Sequence, residues 1–587
     1  MKHTRSLLAA TLALTLASCG QQLSGPAPTA AAPANGTESE AVAGAYLVGF
    51  KQSALSAQSL TEQAAMQAQA ITAAGGALTS QWTDISAAAA RLSPEALSKL
   101  QNNPLVEYVE PDLVRRAQGF KSGSTDAGAS KAAPSSGNLS SLALTTPPYT
   151  ASGETTWGDN ALKVEQLRAS NYTGAGVAVC IGDTGIDGNH PEFQKKIKGF
   201  KNFTADLNRN DPYQLNDVSH HGTHVAGTVF AQYGAGTGAS GLQSGMDANG
   251  VGGVATGVNL YIARVLGDDG SGSSSGIING VNWCAAQLKS QGGTESKVVI
   301  SLSLGGGRAS KTEQRAYTSV YNKGVLTVAA TGNDGAAVSY PAAYTNVVGI
   351  GAIDSAEAKA DFSNFGTQVD LVGPGVDVIS SVPLGQGTRA SASGGGVSFT
   401  QVQAADKTGK GSFSGSVVRA GDGTGTAGAN EFCGTSTRNA ALSGNIALIA
   451  RGTCSFEEKT ANAVASGAKG VMIYNNAAGP LGISLTNAYS VPVVGILQAD
   501  GQALLGKLPT TGTVAVTGAD YESYNGTSMA TPHVSAAAAV VWAAKPTLTN
   551  TQLLNLLTST AKDLGTAGKD NNFGYGLVNP LKAITGQ

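Results

Sequence analysis

Between positions 176 and 354 the chain repeats one pattern: an apolar run that stops at a polar or glycine-rich turn. The runs are "GVAVCIGDTG", "NLYIARVLG", "KVVISLSLGGG", "GVLTVAATGN" and "NVVGIGAID". They are near-continuous rather than alternating, which predicts strands buried on both faces, hence a parallel sheet covered by helices. Each run carries its polar residues at the strand's C-terminal end, the edge where open α/β sheets build their sites. From about 526, "TSMATPHVSAAAAVV" returns to a helical pattern in the same style.

The texture differs on either side. Residues 45–117 read as a small α/β unit. "AYLVGF" and "PLVEYVEPD" are strand-like, "SLTEQAAMQAQAITAAG" has helical spacing, and "SPEALSKLQNN" opens on a serine cap and ends in asparagine. Residues 118–149 are a Gly/Ser-rich linker. Between 386 and 520 a Gly/Ser/Thr-rich stretch leads to "GNIALIARGTCSFEEKTANAVASGAKGVMIYNN". This segment reads as a domain inserted between a first part at 150–385 and a last part at 521–587. At the start, "MKHTRS" supplies positive charge, "LLAATLALTLA" is a short apolar run, and "LASCG" follows. Residues 1–19 therefore read as an export signal, with an apolar run too short to span a bilayer comfortably. "LASC" resembles the lipobox of bacterial lipoproteins, which makes Cys19 the candidate lipidation site. Residues 20–44 read as a disordered tether.

Composition narrows the picture. With 587 residues the chain exceeds a single core, and 41% hydrophobic residues suffice for sizeable ones. The net charge of −2 comes without a basic patch, which argues against nucleic acid as a partner. The cysteines show no CxxC spacing, so a zinc site is unsupported.

Histidine is scarce and clustered. Of six in the chain, His220, His221 and His224 fall within "SHHGTHVAGT", His533 within "GTSMATPHVS", and His190 just after "GDTGID". Such clustering points to proton transfer or metal binding. A zinc hydrolase would want HExxH, and the Glu is missing. Asp183 ends an apolar strand at "DTG", but an aspartic-protease reading needs a second such carboxylate and none is present. Ser528 sits at the start of an Ala/Val-rich helix, whose free N–H groups would stabilise a negative oxygen. Asn333, ending "VAATGN", can donate to an oxyanion. Taken singly, Asp183 could be a cap, Ser528 a plain N-cap and Asn333 a turn residue.

In sequence order these give Asp, His, an amide donor, then Ser, the order of subtilisin among serine hydrolases. "VAVCIGDTGIDGNHPEF", "SHHGTHVAGTV", "ISLSLGG", "AATGNDG" and "YNGTSMATPHV" resemble the Asp, His, substrate-strand, oxyanion and Ser blocks of the subtilisin-like serine peptidases. The resemblance spans roughly 150–385 and 521–587. It implies an α/β fold: a subtilisin-like parallel sheet flanked by helices. Residues 45–117 resemble the family's α+β inhibitory propeptide, and 386–520 a mainly-β or α+β protease-associated domain.

The resemblance implies Ser528 as nucleophile, His221 as general base and then acid, and Asp183 as the group that orients the imidazole. Asn333 and the Ser528 N–H would form the oxyanion hole, and Ser303, Leu304 and Gly305 an edge for an extended peptide. His224 and His533 are expected to pack or position helices, and His220 has no assigned role. Cys433 and Cys454 flank a loop in the inserted domain and are paired; Cys180 and Cys284, in the catalytic core, are expected to be buried free thiols. Glu192 and Asp247 fall where the family often places calcium, although "FAQYGAGTGASGLQSGM" lengthens the adjoining loop. No cofactor is required for the chemistry. The expected function is an exported, self-processing serine endopeptidase, located outside the cell or in the cell envelope and acting on extracellular proteins. It is expected to be monomeric, inhibited by its own propeptide, and tied to a membrane only through a lipid on Cys19. The alternative is an inactive surface-binding protein on the same scaffold.

Overall fold

The computed structural model describes residues 40–55, 58–121, 149, 152–206, 208–236, 249–421, 432–434, 437–452, 454–477 and 481–587. Cys19, the export signal, residues 20–39 of the tether, Asp247 and most of the 118–149 linker lie outside them, while residues 41–44, expected in the tether, instead begin a strand.

The N-terminal unit comprises β1 (Ala41–Phe50), α1 (Leu60–Ala74), β2 (Ala77–Trp82), β3 (Ala87–Arg91), α2 (Pro94–Gln101) and β4 (Val106–Ala117). Its strands form an antiparallel sheet in the order β4-β1-β3-β2. Ser59 and Glu62 form a reciprocal capping box at the start of α1, and Gly75 at φ 91° ends it. Ser93 caps α2, with Pro94 in the first turn. Strand β3 was not expected, because its sequence is "AAAAR". Successive side chains point to opposite faces, and alanine is small enough for both. Ala88 and Ala90 face α1 and α2, while Ala87 and Ala89 pack with Trp82 against Ile278 and Ala316 of the central body.

The central body contains β6 (Ala178–Asp183), β7 (Ile197–Asn202), α3 (His221–Phe230), β8 (Asn259–Arg264), β9 (Ser271–Ser273), α4 (Ser274–Ala285) and β10 (Val298–Leu302). It continues through β11 (Leu304–Gly305), α5 (Lys311–Asn322), β12 (Leu326–Ala330), β13 (Val347–Ile353), β14 (Leu371–Pro374) and β15 (Val378–Ser381). Seven strands form one parallel sheet in the order β14-β13-β12-β10-β6-β8-β7. Every residue of β6, β10, β12 and β13 is buried, as their unbroken apolar runs require, whereas the edge strand β7 is half-buried.

The inserted segment forms a second sheet from β16 (Gly387–Gly394), β17 (Val397–Ser398), β18 (Gln403–Ala404), β19 (Gly411–Arg419), β20 (Ile446–Ala450), β21 (Gly470–Tyr474), β22 (Val493–Ile496) and β23 (Thr510–Ala519). The order is β17-β16-β23-β19-β20-β21-β22-β18. Strands β19 to β22 are parallel, the others antiparallel. Alternation builds two apolar layers: Ala447, Ile449, Val471 and Ile473 on one face, Ile446, Leu448, Met472 and Tyr474 on the other. Helices α6 (Phe456–Ala465) and α7 (Gln498–Leu505) accompany it. A disulfide joins Cys433 and Cys454. The chain then returns through β24 (Tyr521–Asn525), which pairs with β15, into α8 (Thr527–Ala544). That helix is buried from Thr527 to Trp542 and lies against β10, β12, β13 and β14.

One expectation fails. Cys180 and Cys284 are not free thiols but a disulfide, with Cα atoms 5.8 Å apart. Cys180 lies in β6 and Cys284 near the end of α4, a helix that packs on that sheet, so a tertiary crossing joins residues 104 apart in sequence. Closing so long a loop restricts the unfolded chain strongly. We expect Cys180→Ser/Cys284→Ser to lower stability by about 2–5 kcal/mol, read as a lower urea midpoint; an unchanged midpoint would contradict this.

Candidate active site

Asp183 ends β6 and His221 begins α3. Their side chains meet, with His221 Nδ1 2.7 Å from Asp183 Oδ1. The Thr184 N–H donates to the same oxygen at 2.7 Å. Thr184 Oγ1 donates to Asp217 Oδ1 and accepts from Gly222 N, tying the turn after β6 to the start of α3. The approach demands glycine, because a Cβ at Gly222 would lie 2.2 Å from Gly185 O. The carboxylate at Nδ1 favours a proton there and leaves Nε2, which has no hydrogen-bond partner among the described residues, as the basic nitrogen.

The four buried histidines divide by their neighbours. Burial acts on His221 most strongly and favours the neutral ring. The charge and hydrogen bond of Asp183, with Asp217 adding to them, outweigh it and raise the pKa above 6.5. His224 has no carboxylate contact. It hydrogen-bonds the carbonyls of Val378 and Glu522, stacks on Tyr524, and is driven by burial down to about 3. His533 contacts Met529 O at 2.7 Å and is pushed by burial to about 4. His190, on Asp520 O, is also lowered by burial. His220 takes a left-handed conformation at the start of α3.

Ser528 lies in the first turn of α8. Its Oγ donates to Ser303 O at 2.9 Å. Asn333 follows β12, and its amide orientation is fixed: Oδ1 accepts from both Thr527 N and Thr527 Oγ1 at 2.9 Å. Nδ2 therefore faces the other way, into the space in front of Ser528.

That space is filled by the chain itself. Strand β4 runs from the N-terminal unit between β9 and β11, with Arg116 opposite Ser271 on one side and Gly305 on the other. Ala117 pairs with Leu304, and Gln118 N donates to Ser303 O at 3.1 Å. The Gln118 carbonyl then accepts from Ser528 N at 3.1 Å and from Asn333 Nδ2 at 2.5 Å. Gly119 lies against the imidazole, where a Cβ would come 2.8 Å from His221 Nε2. A Cβ at Gly526, φ 152°, would lie 2.5 Å from Gln118 O. The chain continues without a break into β5 (Phe120–Lys121), which pairs with β24.

Two carboxylates of "VEYVEPD" hold the strand from behind. Glu110 accepts from the backbone N–H groups of Lys311 and Thr312 and the hydroxyls of Ser310 and Thr312 at the start of α5. Asp112 accepts from Ser275 N and Oγ at the start of α4. Anions are favoured at both places, where free N–H groups meet the positive end of the helix dipole.

Sequence patterns here match known proteins. The subtilase model matches residues 174–469 and 495–576, and the peptidase inhibitor I9 model matches 45–118. The chain belongs to the subtilase family. It is 32% identical over 345 residues to subtilisin E of Bacillus subtilis, covering 58% of this chain and 74% of that protein. It is 35% identical over 234 residues to subtilisin of Bacillus pumilus, covering 39% and 75%. The solved subtilisin-like protease Apa1 of Pseudoalteromonas sp. AS-11 superposes with a TM-score of 0.52 at 32% identity, covering 74% of this chain and 98% of that one. Fervidolysin of Fervidobacterium pennivorans shares the fold, with a TM-score of 0.54 at 20% identity over 94% of this chain and 62% of its own. The chain is thus a serine endopeptidase with an I9-type inhibitor segment at 45–118.

The residues expected from sequence fall as follows. His221, Asn333 and Ser528 surround residues 118 and 119, with Asp183 behind His221, and Ser303, Leu304 and Gly305 line β4. Thr527, Thr184, Gln118, Arg115 and Glu313 were not foreseen. Thr527 lies inside "GTSMATP" and could have been found there; the others announce themselves only through tertiary contacts. For calcium, Glu192 is buried, accepts from Val251 N and Tyr521 Oη, and is raised by burial to about 7. Its expected companion Asp247 lies outside the described residues, and among the described residues no group of three His, Cys, Asp or Glu is placed to hold an ion.

The helix-start contacts generate a prediction. In the uncut chain, Glu110→Ala/Asp112→Ala should increase hydrogen exchange at the amides of Ser275, Lys311 and Thr312. Unchanged protection at all three would show that the carboxylates do not hold these N–H groups.

Proposed function

We propose that this subtilase cuts its own chain between Gln118 and Gly119, using Ser528, His221 and Asp183 as a catalytic triad, and acts afterwards on other proteins. The observation that carries the reading is the Gln118 carbonyl, held by Ser528 N and Asn333 Nδ2 while Gly119 touches His221. These are the donors a developing oxyanion needs, and losing one such donor typically slows turnover by about 10²–10³-fold, a figure measured on subtilisin itself.

The chemistry follows from the geometry. Ser528 Oγ turns from Ser303 O towards His221 Nε2 and gives up its proton as the oxygen attacks the Gln118 carbonyl carbon. Charge passes to the carbonyl oxygen, between its two donors. The imidazolium is stabilised by Asp183 and hands the proton to the Gly119 nitrogen, which leaves as a free amine. A water then enters, gives a proton to His221 as it attacks the acyl carbon, and the imidazolium returns that proton to Ser528 Oγ as the ester bond breaks, releasing Gln118 as a carboxylate. The N-terminal segment still holds its contacts with α4, α5, β9 and β11, so it remains as an inhibitor until it dissociates or is degraded.

Export is supported by the N-terminal sequence and by two disulfides, which persist in oxidising compartments. If Cys19 carries lipid, the anchor lies on the segment that processing removes, and maturation is also release. We read the insert as a protease-associated domain that influences access of large substrates, a reading supported by its separate sheet with two apolar layers.

Two outcomes test this. Ser528→Ala should accumulate as an uncut, membrane-associated chain, while wild type yields a released form beginning at Gly119. Maturation of Ser528→Ala expressed alone, or a wild-type N-terminus elsewhere, would overturn the proposal. Peptidase activity should also rise with pH through a midpoint above 6.5, because only neutral His221 accepts the serine proton and Asp183 raises its pKa. A kcat/KM that is flat from pH 5 to 8 would rule out this role.

A further inference from the structure

Arg115 is the fourth residue back from the proposed cut, and its side chain is only 1% exposed. Its guanidinium meets an equally buried carboxylate through two prongs: Nε to Glu313 Oε1 at 3.0 Å and Nη2 to Glu313 Oε2 at 2.6 Å. Nη2 also donates to Arg308 O at 2.8 Å. Glu313 is set in the first turn of α5, where its N–H bonds the cap residue Ser310. Two hydroxyls aim its oxygens at the guanidinium: Ser274 Oγ donates to Oε1 and Tyr344 Oη to Oε2. A Cβ at Gly306 would stand 2.8 Å from Arg115 Nη1, so glycine there opens the pocket wall. Both hydrogen-bond partners of the guanidinium, Glu313 and the Arg308 carbonyl, therefore belong to the central body and stay when β4 leaves.

We infer that this pocket is a selectivity site of the mature enzyme, and that Glu313 makes it choose substrates with arginine four residues before the cut. This rests on the peptidase reading above. The reason is the state of Glu313 once β4 has gone. The carboxylate keeps two hydroxyl donors but loses its counter-charge. A substrate with leucine at that position seals the pocket over an unpaired buried anion, which is strongly unfavourable. Arginine restores both prongs of the pair. Lysine brings a charge without the planar fork that matches two carboxylate oxygens, and it has no second donor fixed towards Arg308 O. The neighbouring Arg116 is exposed and, among the described residues, meets no buried carboxylate, so the demand falls on one position.

The test uses mature enzyme purified from wild type and a peptide spanning residues 113–121 with Arg116→Ala, leaving one arginine ahead of the cut. This is compared with versions carrying leucine or lysine in place of Arg115. The expected kcat/KM favours arginine over both by at least about 10-fold, and Glu313→Gln brings the ratio towards one. Equal rates for arginine and leucine peptides with wild type, or an unchanged ratio in Glu313→Gln, would overturn the inference while leaving the peptidase reading intact. Hydrolysis of none of the peptides, arginine included, would instead overturn the peptidase reading and this one with it.

Discussion

The placement of one carbonyl oxygen, that of Gln118, organises the precursor. Two N–H donors reach it from opposite sides: Ser528 N at the start of α8 and Asn333 Nδ2 after β12. The parallel sheet delivers Asn333 at the C-terminal end of β12, whereas Ser528 comes from the start of α8, which follows β24 of a separate antiparallel sheet. Thr527 then locks the amide by donating twice to Asn333 Oδ1. The same residue thus starts the serine's helix and orients the second donor, so the two donors cannot drift independently.

Placing that oxygen is a problem of register. In a strand, a slip of one residue turns every side chain to the other face. Strand β4 resists slipping because its anchors lie at fixed heights: Glu110 and Asp112 at two helix starts, Arg115 in the Glu313 pocket, Ala117 against Leu304. A shift by one would move Arg115 out of the pocket, bring exposed Arg116 towards it, and put a different carbonyl before Ser528. The bond presented for attack is therefore set by contacts several residues away. These contacts do not involve the Gln118 carbonyl, so they survive its cleavage, which explains how one segment can serve as both substrate and inhibitor.

What the sequence disclosed follows the range of the interaction concerned. The five buried strands were legible because burial on both faces writes unbroken apolar runs. Strand β7 was missed because it is a half-buried edge, β14 because it is four residues long, and β3 because its four alanines suit a helix equally well. Asp183, His221, Asn333 and Ser528 were legible as local motifs, each tied to a strand end or helix start. Arg115 and Glu313 were not, since they lie 198 positions apart and only the passage of β4 between β9 and β11 joins them. The disulfide between Cys180 and Cys284 was misread for the same reason: nothing in either neighbourhood marks the crossing of α4 over β6.

The histidines show how a single neighbour separates chemistry from packing. His190, His221, His224 and His533 are all buried, and burial alone disfavours the imidazolium in each. In three of them nothing reverses that effect, so they stay neutral and act as rigid, polar space-fillers, satisfying carbonyls such as Asp520 O, Val378 O and Met529 O. Of these four, only His221 faces a carboxylate at hydrogen-bond distance, and only there is the shift upward. Clustering in sequence therefore reflects two demands met by one residue type. Helices packed tightly against a sheet edge need a flat side chain that can reach a distant carbonyl, and proton transfer needs the same ring beside an anion. Asp183, rather than the abundance of imidazoles, makes the difference.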